Sequence, residues 1–233
     1  MPSSVVAVSV AVAAASVAAM AVALAMWRPE GWGPCGVVPL GWYLDEMCRT
    51  GDVVFFESPG ADALHRLVSP LTHVGLLVVS PTGRPTLVEM LDGRTVVHPG
   101  RGPPPAGMHV HDARARLGRF AGTLTVSRAV ESTAAAFHWE DDVRRVVGDL
   151  RDAPYPRQPR LSLARCKLGL ADGPRDGDGA AAMLCSEFVA RAMVRLGVLG
   201  GEGAAGWRCT TPSDLLVVLR RSGRFRCPVR LAA

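Results

Sequence analysis

The sequence predicts an α+β domain behind an N-terminal apolar segment. Three observations carry that prediction. Val53–Phe56, Val74–Val79 and Thr86–Leu91 are short apolar runs bounded by turn residues, as expected for strands of an antiparallel sheet. Ala180–Leu196 has helical periodicity, with Leu184, Phe188, Ala192 and Leu196 on one stripe at four-residue steps. Val5–Met26 is 22 residues, mostly Val and Ala, without a charge.

In chain order, the apolar run comes first. At a rise of about 1.5 Å per residue it is long enough to cross a bilayer core. The sequence therefore predicts a single-pass N-terminal anchor over residues 1–27, with a cleaved secretory signal and secretion as the alternative. Arg28 and Arg49 follow the run and no Lys or Arg precedes it, which favours a cytoplasmic C-terminal domain. Trp27, Trp32, Trp42 and Tyr43 fit an interfacial aromatic belt, and core packing explains some of them equally well. Residues 28–48 read as a linker, with one or two helical turns over Leu40–Met47, and the domain itself is expected over 49–233.

Within that domain, Arg49-Thr50-Gly51-Asp52 is a turn leading into the first strand. Ala61–Val68 is a helical turn or loop. Ser80-Pro81-Thr82-Gly83 supplies turn chemistry, so Val74–Val79 and Thr86–Leu91 form a hairpin. Thr95–Val97 suits a short further strand, Pro99–Gly107 a loop, and Thr123–Ser127 a strand. Thr133–Val147 has helical composition. Ala153–Pro159 is a proline-rich loop and Ala171–Gly179 a polar Gly/Asp linker. Ala180–Leu196 is the clearest helix, ended by Gly197. Thr211-Pro212-Ser213-Asp214 opens a last helix running to about Arg221. No internal repeat is visible.

Composition narrows the function classes. The chain has 233 residues and is 48% hydrophobic, so it can build a core. Of its 26 basic residues only Lys167 is a lysine. The arginines are scattered and aromatics make up 6%, which argues against a nucleic-acid surface. No Walker loop and no GxGxxG occurs, and His109 and His111 stand in a proline-rich neighbourhood without ligand partners. Neither a metal nor another cofactor is therefore expected. Six cysteines stand at 35, 48, 166, 185, 209 and 227, with wide spacings and no CxxC. That pattern argues against a zinc site of the usual spacing; the even number would permit three disulfides, but in a chain of this size mostly free thiols are expected.

The chemistry-bearing residues lie on three predicted elements. Cys185 sits early in its helix, where backbone N–H groups and the helix dipole favour negative charge, one way of lowering a thiol pKa. His73 opens the strand Val74–Val79. Hairpin geometry brings Glu89 towards His73, with Asp92 and His98 as rival partners because register cannot be fixed from sequence. A thiol, an imidazole and an orienting carboxylate are the equipment of nucleophilic acyl chemistry.

These segments resemble a known family. Gly51-Asp52-Val53-Val54-Phe55-Phe56, Thr72-His73-Val74-Gly75-Leu76-Leu77, Val88-Glu89 and Cys185-Ser186-Glu187-Phe188-Val189 are similar to the NlpC/P60 superfamily of papain-like hydrolases. The cysteine helix follows the strands instead of preceding them, which resembles the circularly permuted branch that includes YiiX-type and poxviral proteins. Ala153-Pro154-Tyr155 and Thr211-Pro212-Ser213-Asp214-Leu215 are further echoes, and the likeness spans about residues 49 to 219. It implies a permuted papain-like fold, an antiparallel sheet packed on the cysteine-bearing helix. It implies Cys185 as nucleophile, His73 as general base and Glu89 as its orienting partner, with Tyr155 and the Cys185 N–H at the substrate and oxyanion position. The implied activity is a thiol-dependent hydrolase or acyltransferase acting on an amide, ester or thioester, with lipid, acyl or peptide substrates. The alternative is a catalytically silent, membrane-tethered module that binds lipid or protein, or a virion-associated protein.

Overall fold

A computed structural model describes residues 34–60, 69–94, 103–130, 139–156, 159, 163, 165–166, 182–200 and 207–232. The apolar run Val5–Met26, Trp27 and Trp32, the segments Ala61–Val68, Thr95–Val97 and Ala171–Gly179, and His98 lie outside these residues. Among the described residues, no helix is long and apolar enough to cross a membrane.

The architecture is α+β: a mixed seven-stranded sheet flanked by helices. The strands are β1 (Val37–Pro39), β2 (Val53–Glu57), β3 (His73–Val79), β4 (Pro85–Leu91), β5 (Gly107–Asp112), β6 (Thr123–Ser127) and β7 (Val229–Ala232). Their spatial order is β1-β7-β6-β2-β3-β4-β5. All neighbours are antiparallel except β1 and β7, which are parallel, so the sheet is not the purely antiparallel one expected. The helical elements are α1 (Leu40–Trp42), continuing as a π-helical turn over Tyr43–Met47, α2 (Ala113–Gly118), α3 (Trp139–Leu150), α4 (Cys185–Arg195) and α5 (Pro212–Arg221).

The β3–β4 hairpin forms as its turn residues dictate. Gly83 takes φ +77, which only glycine adopts without strain, and its N–H donates to the Ser80 carbonyl at 2.8 Å. The register pairs Gly75 with Glu89 and Leu77 with Leu87. Alternation along the strands then divides the interior. Val53, Phe55, Val74, Leu76, Val88 and Met90 face one core, which contains Cys185, Phe188, Val189 and Met193 of α4 and Leu215, Leu216 and Leu219 of α5. Val54, Phe56, Leu77 and Leu87 face a second, with Leu40, Tyr43, Ala113 and Leu117.

Residues 34–48, the described part of the expected linker, pack onto the sheet. Within them, β1 pairs with β7, and Leu40, Tyr43 and Leu44 are buried in the second core. Tyr43 does not belong to an interfacial belt: it is fully buried and its hydroxyl donates to Asp52 Oδ2 at 2.7 Å. Trp42 beside it is exposed. The expectation of mostly free thiols also fails. Cys35 is bonded to Cys227 and Cys166 to Cys209, leaving Cys48 and Cys185 as the free cysteines. The wide sequence spacing concealed both pairs, because the folded Cα atoms stand 5.9 and 5.7 Å apart, within disulfide reach.

Candidate active site

Cys185 is the first residue of α4 and does not lie several residues inside a helix beginning at Ala180. Leu184 stops the helix from starting earlier, since its backbone is extended (φ −79, ψ 161). Just before it, the Met183 N–H donates to the Pro154 carbonyl at 2.8 Å, tying the approach to α4 onto the Pro154-Tyr155 loop. No side chain of Leu184 caps the helix, and the first helical backbone bond runs from Phe188 N–H to the Leu184 carbonyl. The N–H groups of the first turn therefore concentrate at the sulfur. Ser186 Oγ donates to the Thr210 carbonyl at 2.5 Å, fixing this turn against the start of α5.

His73 is the first residue of β3 and pairs with Phe56 of β2. Its Nε2 lies 2.8 Å from Glu89 Oε2. The 75–89 register sets Glu89 diagonally across from His73 on the same face, which selects it over Asp92 as the carboxylate partner. Asp92 Oδ1 instead accepts the Arg94 N–H at 2.9 Å. Gly75 permits the close packing beside this pair: a Cβ there would stand 2.9 Å from Leu87 Cδ1 and 3.3 Å from the Val88 carbonyl oxygen.

By register His73 and Glu89 belong to the sheet face that carries Phe56, whereas Cys185 belongs to the core on the other face. His73 and Cys185 are each the first residue of their element, which sets both at the sheet margin, where the two faces come together. Cys185 lies near enough to His73 and to Tyr155 to shift the titration of both upward. With Nε2 turned to Glu89, His73 Nδ1 is the nitrogen left to exchange a proton with the thiol.

The electrostatics follow from these contacts. Burial opposes a charged imidazole. The negative charge and hydrogen bond of Cys185, then those of Glu89, outweigh it and raise His73 to about 9. Burial likewise opposes a charged Glu89, but His73 and then Arg116 hold it at about 2. Tyr155 is pushed upward by burial, by the charges of Cys185 and Asp92, and by its hydrogen bond to Cys185. Its phenol therefore stays a proton donor beside the sulfur.

The structure thus brings Cys185, His73, Glu89 and Tyr155 together. It adds two residues that sequence reasoning missed. Arg116 of α2 donates from Nε to Glu89 Oε1 at 2.7 Å and from an Nη to Oε2 at 3.2 Å. His111 of β5 places Nε2 3.5 Å from Glu89 Oε1. Both lie just beyond the proline-rich loop Pro99–Gly107, in a stretch to which the sequence assigns no element. The alternation Met108, Val110 around His109 and His111 was the one available signal. Asp52 has a different, structural task. Fully buried, it accepts from Tyr43 Oη, from Arg49 N–H at 3.1 Å and from Ala129 N–H at 3.0 Å.

Among the described residues, no group of three or more His, Cys, Asp or Glu side chains is placed to hold a metal ion. Compared with known proteins, the sequence matches no family model and no curated protein.

Proposed function

We propose that this chain is a thiol-dependent hydrolase or acyltransferase acting on an amide, ester or thioester through Cys185, His73 and Glu89. The observation that carries the reading is the 2.8 Å bond of His73 Nε2 to the buried Glu89, with Cys185 at the head of α4 near enough to shift that imidazole. The four motifs resembling the permuted NlpC/P60 branch support it, as does an α4 that follows β1–β6 in the chain and packs on the sheet.

The chemistry requires no further group. The Cys185 proton passes to His73 Nδ1, and the sulfur attacks the acyl carbon. The oxyanion takes the Cys185 N–H at the open helix start, and the Tyr155 hydroxyl is a second donor at the sulfur. The tetrahedral adduct collapses, expelling the amine, alcohol or thiol, which leaves with the proton from His73. Water, or an acceptor amine or hydroxyl, then loses its proton to His73 and attacks the thioester. The acyl group departs and the proton returns to sulfur. Glu89 keeps the imidazole oriented throughout and stabilises its charged form.

A lipid-borne or acyl substrate fits the apolar N-terminal run, which we read as a membrane anchor. The two disulfides favour placing the domain on an oxidising side of that membrane, or secreting it. They outweigh the two arginines that suggested a cytoplasmic domain. Capture decides the activity. Incubating the full chain with a panel of acyl thioesters and p-nitrophenyl esters should leave an acyl mass on the Cys185 peptide, released by hydroxylamine and absent from Cys185→Ser. Absence of any adduct and any turnover, with ligand retention unchanged in Cys185→Ser, would establish the silent binding module instead.

A further inference from the structure

We infer that Arg116 is a positioning residue of this site, clamping Glu89 so that the carboxylate stays ionised and aimed at His73. The inference rests on the triad reading above and goes beyond it.

Glu89 is fully buried, and a buried carboxylate has two ways to lower its energy: keep a cationic partner, or take up a proton. Histidine alone is an uncertain partner, because it gives up its proton during the proposed cycle. At that moment Glu89 would be a lone buried charge. A guanidinium does not deprotonate, so it keeps Glu89 ionised while His73 is neutral. The geometry suits this task. Arg116 engages both carboxylate oxygens, through Nε to Oε1 and Nη to Oε2, in a planar fork that fixes the rotation of the carboxylate. Oε2 is the oxygen that faces His73 Nε2.

Arg116 is itself held. It is 6% exposed, and its guanidinium lies 5.0 Å from the centroid of the Phe56 ring, whose centroid is 5.2 Å from that of the His73 ring. Its helix is fixed at the start by Asp112, whose side chain accepts the Ala115 N–H at 2.8 Å. The charged and titratable groups around Glu89 are thus His73 from β3, His111 from β5 and Arg116 from α2. Cys185 and Tyr155 reach it through His73, and Asp92 faces Tyr155.

The test is the pH dependence of iodoacetamide alkylation at Cys185, followed by peptide mass spectrometry from pH 4 to 9. Wild type, Arg116→Gln, Arg116→Lys and His73→Ala are compared, with melting curves alongside. In Arg116→Gln, Glu89 gains a proton near neutrality and stops supporting the imidazolium. The acid limb of the rate profile should move up by about one pH unit, about a tenfold loss of rate at the foot of that limb. Arg116→Lys keeps the charge without the fork, so its acid limb should stay in place while its plateau rate falls severalfold. A lower melting temperature is expected of any buried arginine and decides nothing alone. An Arg116→Gln profile superimposed on wild type overturns the inference. If that variant does not fold, an Arg116→Lys plateau equal to wild type overturns it. Alkylation that is insensitive to His73→Ala would overturn the triad reading and this inference together, whereas sensitivity to His73 with indifference to Arg116 overturns the inference alone.

Discussion

Glu89 is fully buried, against His73, Arg116 and His111. Its worth to the fold is therefore different from that of a surface carboxylate. Glu89→Gln would leave a buried arginine without its counter-ion, and breaking such a pair costs about 3–5 kcal/mol. Chemical denaturation should register that loss, while the same exchange at the exposed Asp45, which pairs with Arg114, should change stability by less than about 1 kcal/mol. His73→Ala removes the base without touching the sulfur. On the proposed mechanism it should slow acyl transfer by about 10²–10⁴-fold, measured as initial rates on the substrates that load Cys185. A smaller effect would mean that the thiol is activated by the helix start and Tyr155 alone.

Elements place these residues, and here part of the structure was legible beforehand. The β3–β4 hairpin could be read because Ser80–Gly83 is unmistakable turn chemistry between two apolar runs. The last helix could be read from Thr211-Pro212-Ser213-Asp214. Its N-cap Thr211 accepts the Asp214 N–H at 3.0 Å, and Asp214 Oδ2 accepts the Thr211 N–H at 2.8 Å, a reciprocal cap with proline in the first turn. Thr211→Ala should cost about 1 kcal/mol in a denaturant melt. Other features were not legible. The start of α4 depends on the bond from Met183 to Pro154, a contact between segments 29 residues apart in sequence that no local pattern encodes. β1 is three residues long and exists only because β7 lies beside it. The strand β5 and helix α2 were hidden because proline-rich sequence precedes them, and with them went Arg116. Gly75 was visible as a glycine, but its reason is the Leu87 side chain packed over it from β4. Gly75→Ala should therefore destabilise the hairpin and, by displacing Glu89 opposite it, lower the reactivity of Cys185 as well.

At the scale of the whole chain, two disulfides and a set of buried titrating groups set the stability. Cys35–Cys227 joins positions 192 residues apart, drawing the strand at one end of the described chain to the strand at the other. The chain-entropy account gives about 4–5 kcal/mol for so long a loop, so dithiothreitol should lower the melting temperature markedly. The pH dependence has a definite sign. Burial raises Asp52 to about 6 and Glu187 to about 7, and His73 stands at about 9 through Cys185 and Glu89 despite burial. Between their ordinary values of 3.8, 4.5 and 6.5 and these, the folded chain retains protons that the unfolded chain has released. Stability therefore falls as pH rises from about 4 to about 9. Glu89, lowered to about 2 by His73 and Arg116 against its burial, acts the other way: its contribution is full above 4.5 and is lost as pH falls through 2. Melts across pH 3–9 should peak near pH 4, and Glu187→Gln should flatten the limb between about pH 4.5 and 7. A melting temperature that climbs steadily to pH 8 would contradict this assignment of protons.

The central claim is that His73 makes the Cys185 sulfur a nucleophile, and relative alkylation rates test it most directly. With limiting iodoacetamide at pH 7, the account predicts that Cys185 is labelled at least tenfold faster than Cys48, whose thiol is pushed up to about 12 by burial and by the charge of Asp52. It also predicts that His73→Ala removes that advantage in a protein that still folds. Equal labelling of the two thiols, or a Cys185 rate unchanged in His73→Ala, would contradict it.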